Sequence, residues 1–264
     1  MRIPFTQVDA FASAPFEGNP AAVMPLARWL DDETLQAIAS ENNLSETAFI
    51  VPDESDEADF ELRWFTPVAE VALCGHATLA SGHVVLAADP DRNTVRFRTR
   101  QAGVLEVSRD GRGYAMALPA WAPLPKALPQ IVAALGVDAI ETLWHEKGYA
   151  LVTVADEAAV RAAAPDGRAV AALGPYVLIV AAEGDTADVV SRVFTHYFDI
   201  PEDPVTGSAH AVMVPYWAGK LGRDRFSAFQ ASARGGHVGC RLEGDRVMLT
   251  GQCVTTIEGT FLLP

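Results

Sequence analysis

Three short segments of this 264-residue chain carry ionisable side chains where a site could form. Glu46 lies just before an apolar run, His76 ends the segment Cys74-Gly75-His76, and Asp203 precedes Thr206-Gly207-Ser208. Two carboxylates and an imidazole are groups that give and accept protons in general acid–base catalysis. We therefore take Glu46, His76 and Asp203 as candidate catalytic residues.

Glu46 stands at a predicted helix-to-strand junction that leads into the strand Thr47 to Pro52. Its carboxylate can be solvated or held in a partly desolvated cleft. Desolvation disfavours the charged form, which allows one carboxyl group to release and take back a proton near neutrality. An exposed loop carboxylate is the alternative interpretation. The alternatives for His76 and Asp203 are a hydrogen-bonded structural histidine and a helix-capping acid.

Gly75 and Gly207 each open a small-residue segment that is predicted to be a helix. The first N–H groups of a helix lack partners and form the positive end of its dipole, so they bind carboxylates without a lysine or arginine. Glycine permits close approach, and the hydroxyl of Ser208 adds a donor. The sequence thus favours a small carboxylate as ligand, with plain helix capping as the alternative.

The elements that position these residues alternate between strand and helix. Asp31 can cap a helix over Asp32 to Glu41, and Cys74 to Ala87 is apolar on every face, which predicts a buried central helix. The predicted strands of the first half are Ile3 to Phe11, Ala21 to Met24, Thr47 to Pro52, Glu61 to Phe65, Val95 to Arg100, Gly103 to Ser108 and Gly113 to Leu118.

The second half of the sequence resembles the first. Arg63-Trp64-Phe65-Thr66 has a counterpart in Arg192-Val193-Phe194-Thr195, and each is followed by a loop and a small-residue helix. Short strands predicted at 236–242, 246–250 and 253–257 echo those that follow the first helix. A repeated order of strand, loop, buried helix and strands indicates two copies of one module.

A proline-rich stretch, Pro119 to Pro125, cannot continue a helix or a central strand and is the best candidate linker. We therefore predict two modules, residues 1–118 and 119–264, that face each other across the site. Residues 137–188 contain no motif and are interpreted as scaffold of the second module.

Composition excludes several classes of function. The net charge of −14 disfavours nucleic acid and anionic membranes as partners. The longest apolar stretch, near Tyr176 to Ala182, is well short of the ~20 residues of a spanning helix. Cys74, Cys240 and Cys253 form neither a disulfide framework nor a zinc spacing. With no secretory signal visible, we expect a cytoplasmic location.

Taken together, the motifs resemble the PhzF-like family of phenazine biosynthesis proteins, which shares its fold with diaminopimelate epimerase. The matching segments, in family order, are Val8-Asp9-Ala10-Phe11, Gly18-Asn19-Pro20-Ala21-Ala22-Val23, Asn43-Leu44-Ser45-Glu46-Thr47-Ala48-Phe49, Arg63-Trp64-Phe65-Thr66-Pro67 with Glu70, Cys74-Gly75-His76-Ala77-Thr78, and Glu202-Asp203-Pro204-Val205-Thr206-Gly207-Ser208-Ala209.

The resemblance implies an α/β (α+β) fold of two pseudo-symmetric domains, each a mixed sheet or half-barrel wrapped around a central helix. It implies Glu46 as the general acid/base, with His76 and Asp203 placing or relaying the proton. It also implies a homodimer that uses neither metal nor organic cofactor. The residues it implies around the substrate carboxylate and its neighbouring polar group are Ser45, Cys74, Gly75, Gly207 and Ser208.

The chain departs from the phenazine enzymes at several positions. Those enzymes tend to have alanine before the Gly-His pair, where this chain has Cys74. Their C-terminal segment favours Gln-Gly and a later Gly-Arg, where this chain has Gln230-Ala231 and Arg234-Gly235-Gly236. The resemblance therefore leaves the substrate open.

Three hypotheses follow. In the first, Glu46 relocates a proton on an unsaturated or activated small carboxylic acid. In the second, Cys74 acts alone as a thiolate in an epimerisation or dehydration, activated by the helix N-terminus; the epimerase relatives use two thiols, and Thr206 occupies the second position. In the third, the chain is a non-catalytic binder of small carboxylates.

Overall fold

Strands dominate the chain and helices are few, which confirms the predicted α+β class. The computed structural model describes residues 1–263. The elements of the first half are β1 (Arg2–Ala10), β2 (Asn19–Pro25), α1 (Asp32–Asn42), β3 (Glu46–Pro52), β4 (Phe60–Phe65), β5 (Glu70–Val71), α2 (Gly75–Ala88), β6 (Thr94–Thr99), β7 (Val104–Asp110) and β8 (Gly113–Pro119). The elements of the second half are β9 (Leu124–Pro125), α3 (Pro129–Leu135), β10 (Glu141–His145), β11 (Tyr149–Thr153), α4 (Glu157–Ala162), α5 (Gly167–Ala172), β12 (Val177–Glu183), β13 (Val189–Thr195), a 3₁₀ turn (His196–Phe198), β14 (Ile200–Glu202), α6 (Gly207–Leu221), β15 (Arg225–Gln230), β16 (Gly236–Glu243), β17 (Arg246–Gly251) and β18 (Cys253–Leu262).

The chain divides into two compact units. The first comprises Met1–Ala117 together with the chain from Thr250 onward, and the second comprises Leu118–Leu249. The predicted second module, residues 119–264, therefore extends too far at its C-terminal end. The reason is that β18 is antiparallel to β1 along its whole length, from Arg2 opposite Leu262 to Ala10 opposite Cys253.

The first unit is organised by one continuous series of strand pairings. Strand β1 is antiparallel to β18 and β2, β2 is parallel to β3, and β3 is antiparallel to β4. Strand β4 is antiparallel to β5 and parallel to β6, which continues antiparallel into β7 and β8. The sheet contacts α2, because β1, β2, β3 and β7 all touch this helix.

Helix α2 is buried because its sequence offers no polar face. Nine of its residues, from Gly75 to Gly82 and Leu86, are buried, which matches the predicted central helix. Its small side chains allow the sheet to approach closely, and a Cβ added at Gly82 would lie 2.4 Å from Cγ1 of Val107 on β7. No helix within residues 1–263 combines the length and apolar character needed to cross a membrane.

The second unit repeats the pairing order of the first. Strand β10 is antiparallel to β11, β11 is parallel to β12, and β12 is antiparallel to β13. Strand β13 is antiparallel to β14 and parallel to β15, which pairs antiparallel with β16. Helix α6 follows β14 just as α2 follows β5. The pairing order supports the internal repeat that the sequence indicated.

An arginine–carboxylate pair occurs at the same place in each unit. Arg63 on β4 donates to both carboxylate oxygens of Glu70 on β5, at 2.7 and 2.8 Å. Arg192 on β13 does the same to Glu202 on β14, at 2.8 and 2.9 Å. Bidentate pairs are geometrically specific. Each pair thus fixes the short strand that leads into the central helix of its own unit.

Candidate active site

Glu46 is placed by the turn that ends α1. Asp31 caps this helix by accepting from the N–H of Thr34 at 2.8 Å, as the sequence predicted. The helix ends at Asn43, whose φ of 51° is left-handed and reverses the chain direction. Strand β3 then begins at Glu46, opposite Ala21 on β2. The Glu46 side chain is only 13% exposed, so the solvated alternative does not hold.

His76 is the partner of Glu46. It is the second residue of α2 and is 4% exposed, and its Nε2 lies 2.9 Å from Oε2 of Glu46. On the other side of the ring, Nδ1 lies 3.1 Å from the side-chain amide of Asn19. The ring is therefore held at both nitrogens, and its orientation toward Glu46 is fixed.

Asn19 is a site residue whose role sequence reasoning missed. It is the first residue of β2 and its side chain is fully buried. The only available signal was the segment Gly18-Asn19-Pro20, which entered the family resemblance without a role. Gly18 has a φ of +63°, and a Cβ there would lie 2.1 Å from the carbonyl oxygen of Ala10. Glycine is therefore required at the turn that delivers Asn19.

Cys74 completes the cluster. It is the N-cap residue of α2, is 6% exposed, and makes no side-chain capping bond. Its Sγ lies 3.5 Å from Nδ1 and 4.0 Å from Nε2 of His76. One donor atom from each of Glu46, Cys74 and His76 falls within 4.8 Å of the other two. The structure thus brings together three of the residues named from the sequence.

Burial raises the pKa of the Cys74 thiol to about 11, and the negative charge of Glu46 acts in the same direction. Burial therefore opposes the activation of this thiol that was expected from the helix N-terminus. The reason is that removal from water penalises a thiolate more than the helix end and His76 favour it.

The charge state of His76 is set by its neighbours. Burial alone would lower the pKa of His76, but negative charge at Cys74 and Glu46 outweighs it and raises this pKa well above the usual value. Because Cys74 remains a thiol near neutral pH, the carboxylate of Glu46 is the partner that favours the imidazolium form. The imidazolium form is thus favoured; in it both ring nitrogens carry protons, so the Asn19 amide must present its oxygen to Nδ1.

Two further predicted residues border this cluster. Ser45 directly precedes Glu46 and is partly exposed, and Gly75 is the buried first residue of α2. Because no side chain caps α2, its first N–H groups are not occupied by the Cys74 side chain. They provide the kind of helix terminus at which a carboxylate binds.

The second unit holds the remaining predicted residues as a group of its own. The Thr206 hydroxyl donates to the carboxylate of Asp203, and the backbone N–H of Asp203 donates to the Val193 carbonyl at 3.0 Å. Gly207 opens α6 and is buried, whereas Ser208 is partly exposed. That Asp203 acts on the same substrate as Glu46 stays a prediction.

Gln230 holds this second group together, a structural role that the sequence did not reveal, since there it stands out only as a departure from the phenazine enzymes. Its side chain, fully buried at the end of β15, accepts from the N–H of Thr206 at 2.9 Å. It also donates to the carbonyl of Asp203 at 2.7 Å. The side-chain amide of Gln230 therefore links Asp203 to Thr206, at the two ends of the turn that leads into α6.

Comparison with known proteins identifies the family. The sequence model of the family described as phenazine biosynthesis-like protein matches residues 8–259. Two proteins of Pseudomonas aeruginosa, each named an uncharacterized isomerase, are 48% and 45% identical, with the full length of both chains covered. A solved PhzF-family structure from Enterococcus faecalis is 40% identical, with a TM-score of 0.92 over all of both chains. The chain belongs to this family.

Further comparisons concern the fold and the enzyme class. A solved hydroxyproline epimerase from Agrobacterium vitis is 13% identical and has a TM-score of 0.65 over 98% of this chain and 92% of its own. At that identity it shows a shared epimerase-type fold and nothing more. The isomerase relatives place the chain in the isomerase class.

Proposed function

We propose that this isomerase relocates a proton on a small carboxylic acid, with Glu46 as the acid/base. The observation behind the proposal is that Glu46 lies 2.9 Å from a buried histidine while 13% of its own side chain stays exposed. His76 is 4% exposed and Cys74 6%. Of the three clustered ionisable groups, Glu46 is thus the one most open to a substrate.

The charges of the cluster suit this chemistry. The imidazolium of His76 stabilises the carboxylate of Glu46, which is the form that removes a proton from carbon. Once protonated, the same group returns the proton to another atom on the same face of the substrate. Negative charge that develops on the substrate carboxylate is stabilised by N–H groups at the start of α2, beginning with Gly75.

The other predicted residues enter the proposal through the family resemblance. Ser45 and Ser208 would donate to the substrate, with the backbone of Gly207 adding a second helix terminus. Asp203 would place or relay the proton. Their own contacts support these roles, because Thr206 and Gln230 hold the Asp203 loop in one conformation and no side chain caps α6.

On the same resemblance we propose that the protein is a cytoplasmic homodimer whose reaction needs neither metal nor organic cofactor. Light scattering on the purified protein at several concentrations tests the dimer. A mass equal to one chain of 28.2 kDa at all of them would contradict it.

The central experiment is proton exchange. The protein is incubated in D₂O with pools of small carboxylic acids, and C–H exchange is followed by NMR. We expect deuterium incorporation that falls by about 10²–10⁴-fold in Glu46→Gln, the range for loss of a general acid/base. Glu41→Gln, an exposed glutamate on α1, is the matched control and should keep full exchange. Undiminished exchange in Glu46→Gln would refute the role.

Two alternatives predict different results. If the Cys74 thiolate were the base, alkylation of Cys74 would abolish exchange while Glu46→Gln remained active. The raised pKa of Cys74 argues against this mechanism. If the protein only binds carboxylates, a tight ligand would be recovered without deuterium after long incubation.

A further inference from the structure

We propose that the second unit holds a binding site for a small aromatic carboxylate, in a surface cavity beside α3. The cavity has a volume of about 360 Å³, which falls in the usual range of about 300–1,000 Å³ for small-molecule sites. Its lining residues come from the segment between β9 and α3, from α3 and β10, and from the end of α5 and the segment that follows it. The inference goes beyond the proposed isomerase reaction and does not depend on it.

Two aromatic side chains in edge-to-face contact line the cavity. The rings of Trp144 and Tyr176 have centroids 5.0 Å apart and planes at 89° to each other. Both rings pack against the buried core of the second unit, as do the neighbouring lining residues Leu128 and Leu173. The cavity therefore offers a flat, apolar surface that is held in place from behind, which favours a ligand with a flat apolar ring.

Lys126 supplies the charge of the cavity. Its Nζ lies 4.6 Å from the centroid of the Trp144 ring, a cation–π contact. Among the lining residues in the described part of the chain, it is the only one with a charged side chain. No acidic side chain within residues 1–263 forms an ion pair with it. An ammonium group attracts anions and repels cations, so the ligand that fits is an anion.

The backbone of Lys126 is fixed beside β10. Its N–H donates to the carbonyl of Thr142 at 3.0 Å, and its carbonyl accepts from the Thr142 hydroxyl at 2.6 Å. Thr142 and Trp144 are two positions apart on this strand and so project from the same face. The charged residue and the aromatic surface are thus in place before a ligand binds, which lowers the entropy cost of binding.

Two lining side chains can donate a hydrogen bond to the ligand. Neither the indole N–H of Trp144 nor the hydroxyl of Tyr176 has a partner among the residues that the structure describes. A carboxylate has two oxygens that accept such bonds, and its single negative charge matches a single ammonium. These features together favour an aromatic monocarboxylate over a dianionic phosphate ester.

The site is tested with benzoate as the probe. Protein labelled with ¹⁵N is titrated with benzoate, and the indole N–H signals are followed by NMR, with the Trp144 signal assigned by its loss in Trp144→Phe. We expect a saturable shift of this signal. Benzamide has the same shape without the charge, and cyclohexanecarboxylate has the charge on a puckered ring. Both should bind more weakly than benzoate.

Variants of two lysines separate the cavity from general charge effects. Lys126→Gln should weaken benzoate binding by about threefold or more, the size expected of one exposed ion pair, and should leave benzamide binding unchanged. Lys147→Gln is the matched control, because Nζ of Lys147 lies 5.3 Å from the centroid of the Trp121 ring, a similar contact outside the cavity. This variant should bind benzoate as the wild type does.

Several results would overturn the site. These are a Trp144 signal that does not shift up to the solubility limit of benzoate, unchanged benzoate affinity in Lys126→Gln, and tighter binding of the cation benzylamine than of benzoate. Equal affinity for cyclohexanecarboxylate and benzoate would overturn the aromatic specificity. The readout follows Trp144 and Lys126, so its outcome is independent of proton exchange through Glu46.

Discussion

The Oε2 atom of Glu46 and the Nε2 atom of His76 lie 2.9 Å apart, which joins the first residue of β3 to the second residue of α2. The two residues are thirty positions apart in the chain, and neither strand nor helix fixes the distance alone. Packing of α2 against β3 brings the carboxylate to the ring.

The first prediction concerns the charge of His76. Because negative charge around the ring raises its pKa well above the usual value, we expect His76 to be imidazolium at pH 7.5. Two-dimensional ¹H–¹⁵N NMR of the ring nitrogens distinguishes the charged ring from both neutral tautomers. In Glu46→Gln the charge partner is gone, so the ring should become neutral at a lower pH than in the wild type.

A second variant separates this electrostatic effect from simple repacking. Asn19→Asp places a negative charge on the other side of the ring, 3.1 Å from Nδ1, and should restore the imidazolium in the Glu46→Gln background. A neutral His76 in the wild type at pH 7.5 would contradict the description of the pair.

Local sequence patterns were enough to predict the elements that carry this pair. The cap at Asp31 marked the start of α1, and the apolar character of Cys74 to Ala87 on every face marked α2 as buried. Both signals are local, because capping and burial of one helix depend on neighbouring residues. Glu46 and His76 could therefore be named as candidates.

The parts that escaped prediction depend on contacts between distant residues. Asn19 meets His76 across 57 positions, and Gln230 meets Thr206 across 24. The raised pKa of Cys74 comes from burial that only the packed structure reveals. The pairing of β18 with β1 joins opposite ends of the chain. No local pattern encodes such partners.

The second prediction concerns the loop held by Gln230. Gln230→Leu removes the acceptor for the buried N–H of Thr206 and the donor to the Asp203 carbonyl. We expect a loss of about 1–3 kcal/mol in the free energy of unfolding, because a buried donor is left without its partner. Urea denaturation measures it.

Ser232→Ala is the comparison for this variant, because it removes a partly exposed hydroxyl that donates to the Pro204 carbonyl and accepts from the N–H of Gly235, whereas Gln230 is fully buried. Its loss should be about 1 kcal/mol or less. Equal stability of Gln230→Leu and wild type would show that the bridging amide does not hold the loop.

The third prediction tests the close contact of α2 with the sheet. In Gly82→Ala the new methyl group would lie 2.4 Å from Val107, so backbone or side chain must shift. Overpacking of this kind costs about 1–3 kcal/mol. Gly219→Ala in α6 is the matched control, because no atom lies within 4 Å of its added Cβ.

At Gly219 the same substitution should stabilise by about 0.5–1 kcal/mol, since alanine loses less backbone entropy in a helix. Thermal unfolding of the two variants should thus shift in opposite directions. A neutral or stabilising Gly82→Ala would mean that α2 lies farther from β7 than described.

The fourth prediction concerns the stability of the second unit as a function of pH. His210 on α6 is fully buried, and its Nδ1 donates to the Thr206 carbonyl at 2.8 Å. Burial lowers the pKa of His210 from 6.5 to about 4. The unfolded chain therefore binds a proton between these two pH values that the folded chain does not. Stability from this group is complete above about pH 6.5 and falls as the pH drops toward 4.

His210→Asn keeps a side-chain N–H for the Thr206 carbonyl but has no group that titrates in this range. Relative to the variant, the wild type should lose on the order of 3 kcal/mol of unfolding free energy between pH 7 and pH 4. Urea denaturation at a series of pH values measures this difference, with the exposed His237→Asn as a control. If the unfolding free energies of wild type and His210→Asn changed in parallel with pH, the pKa of His210 would be the same in the folded and unfolded chain. That result would contradict the lowered pKa of the buried ring.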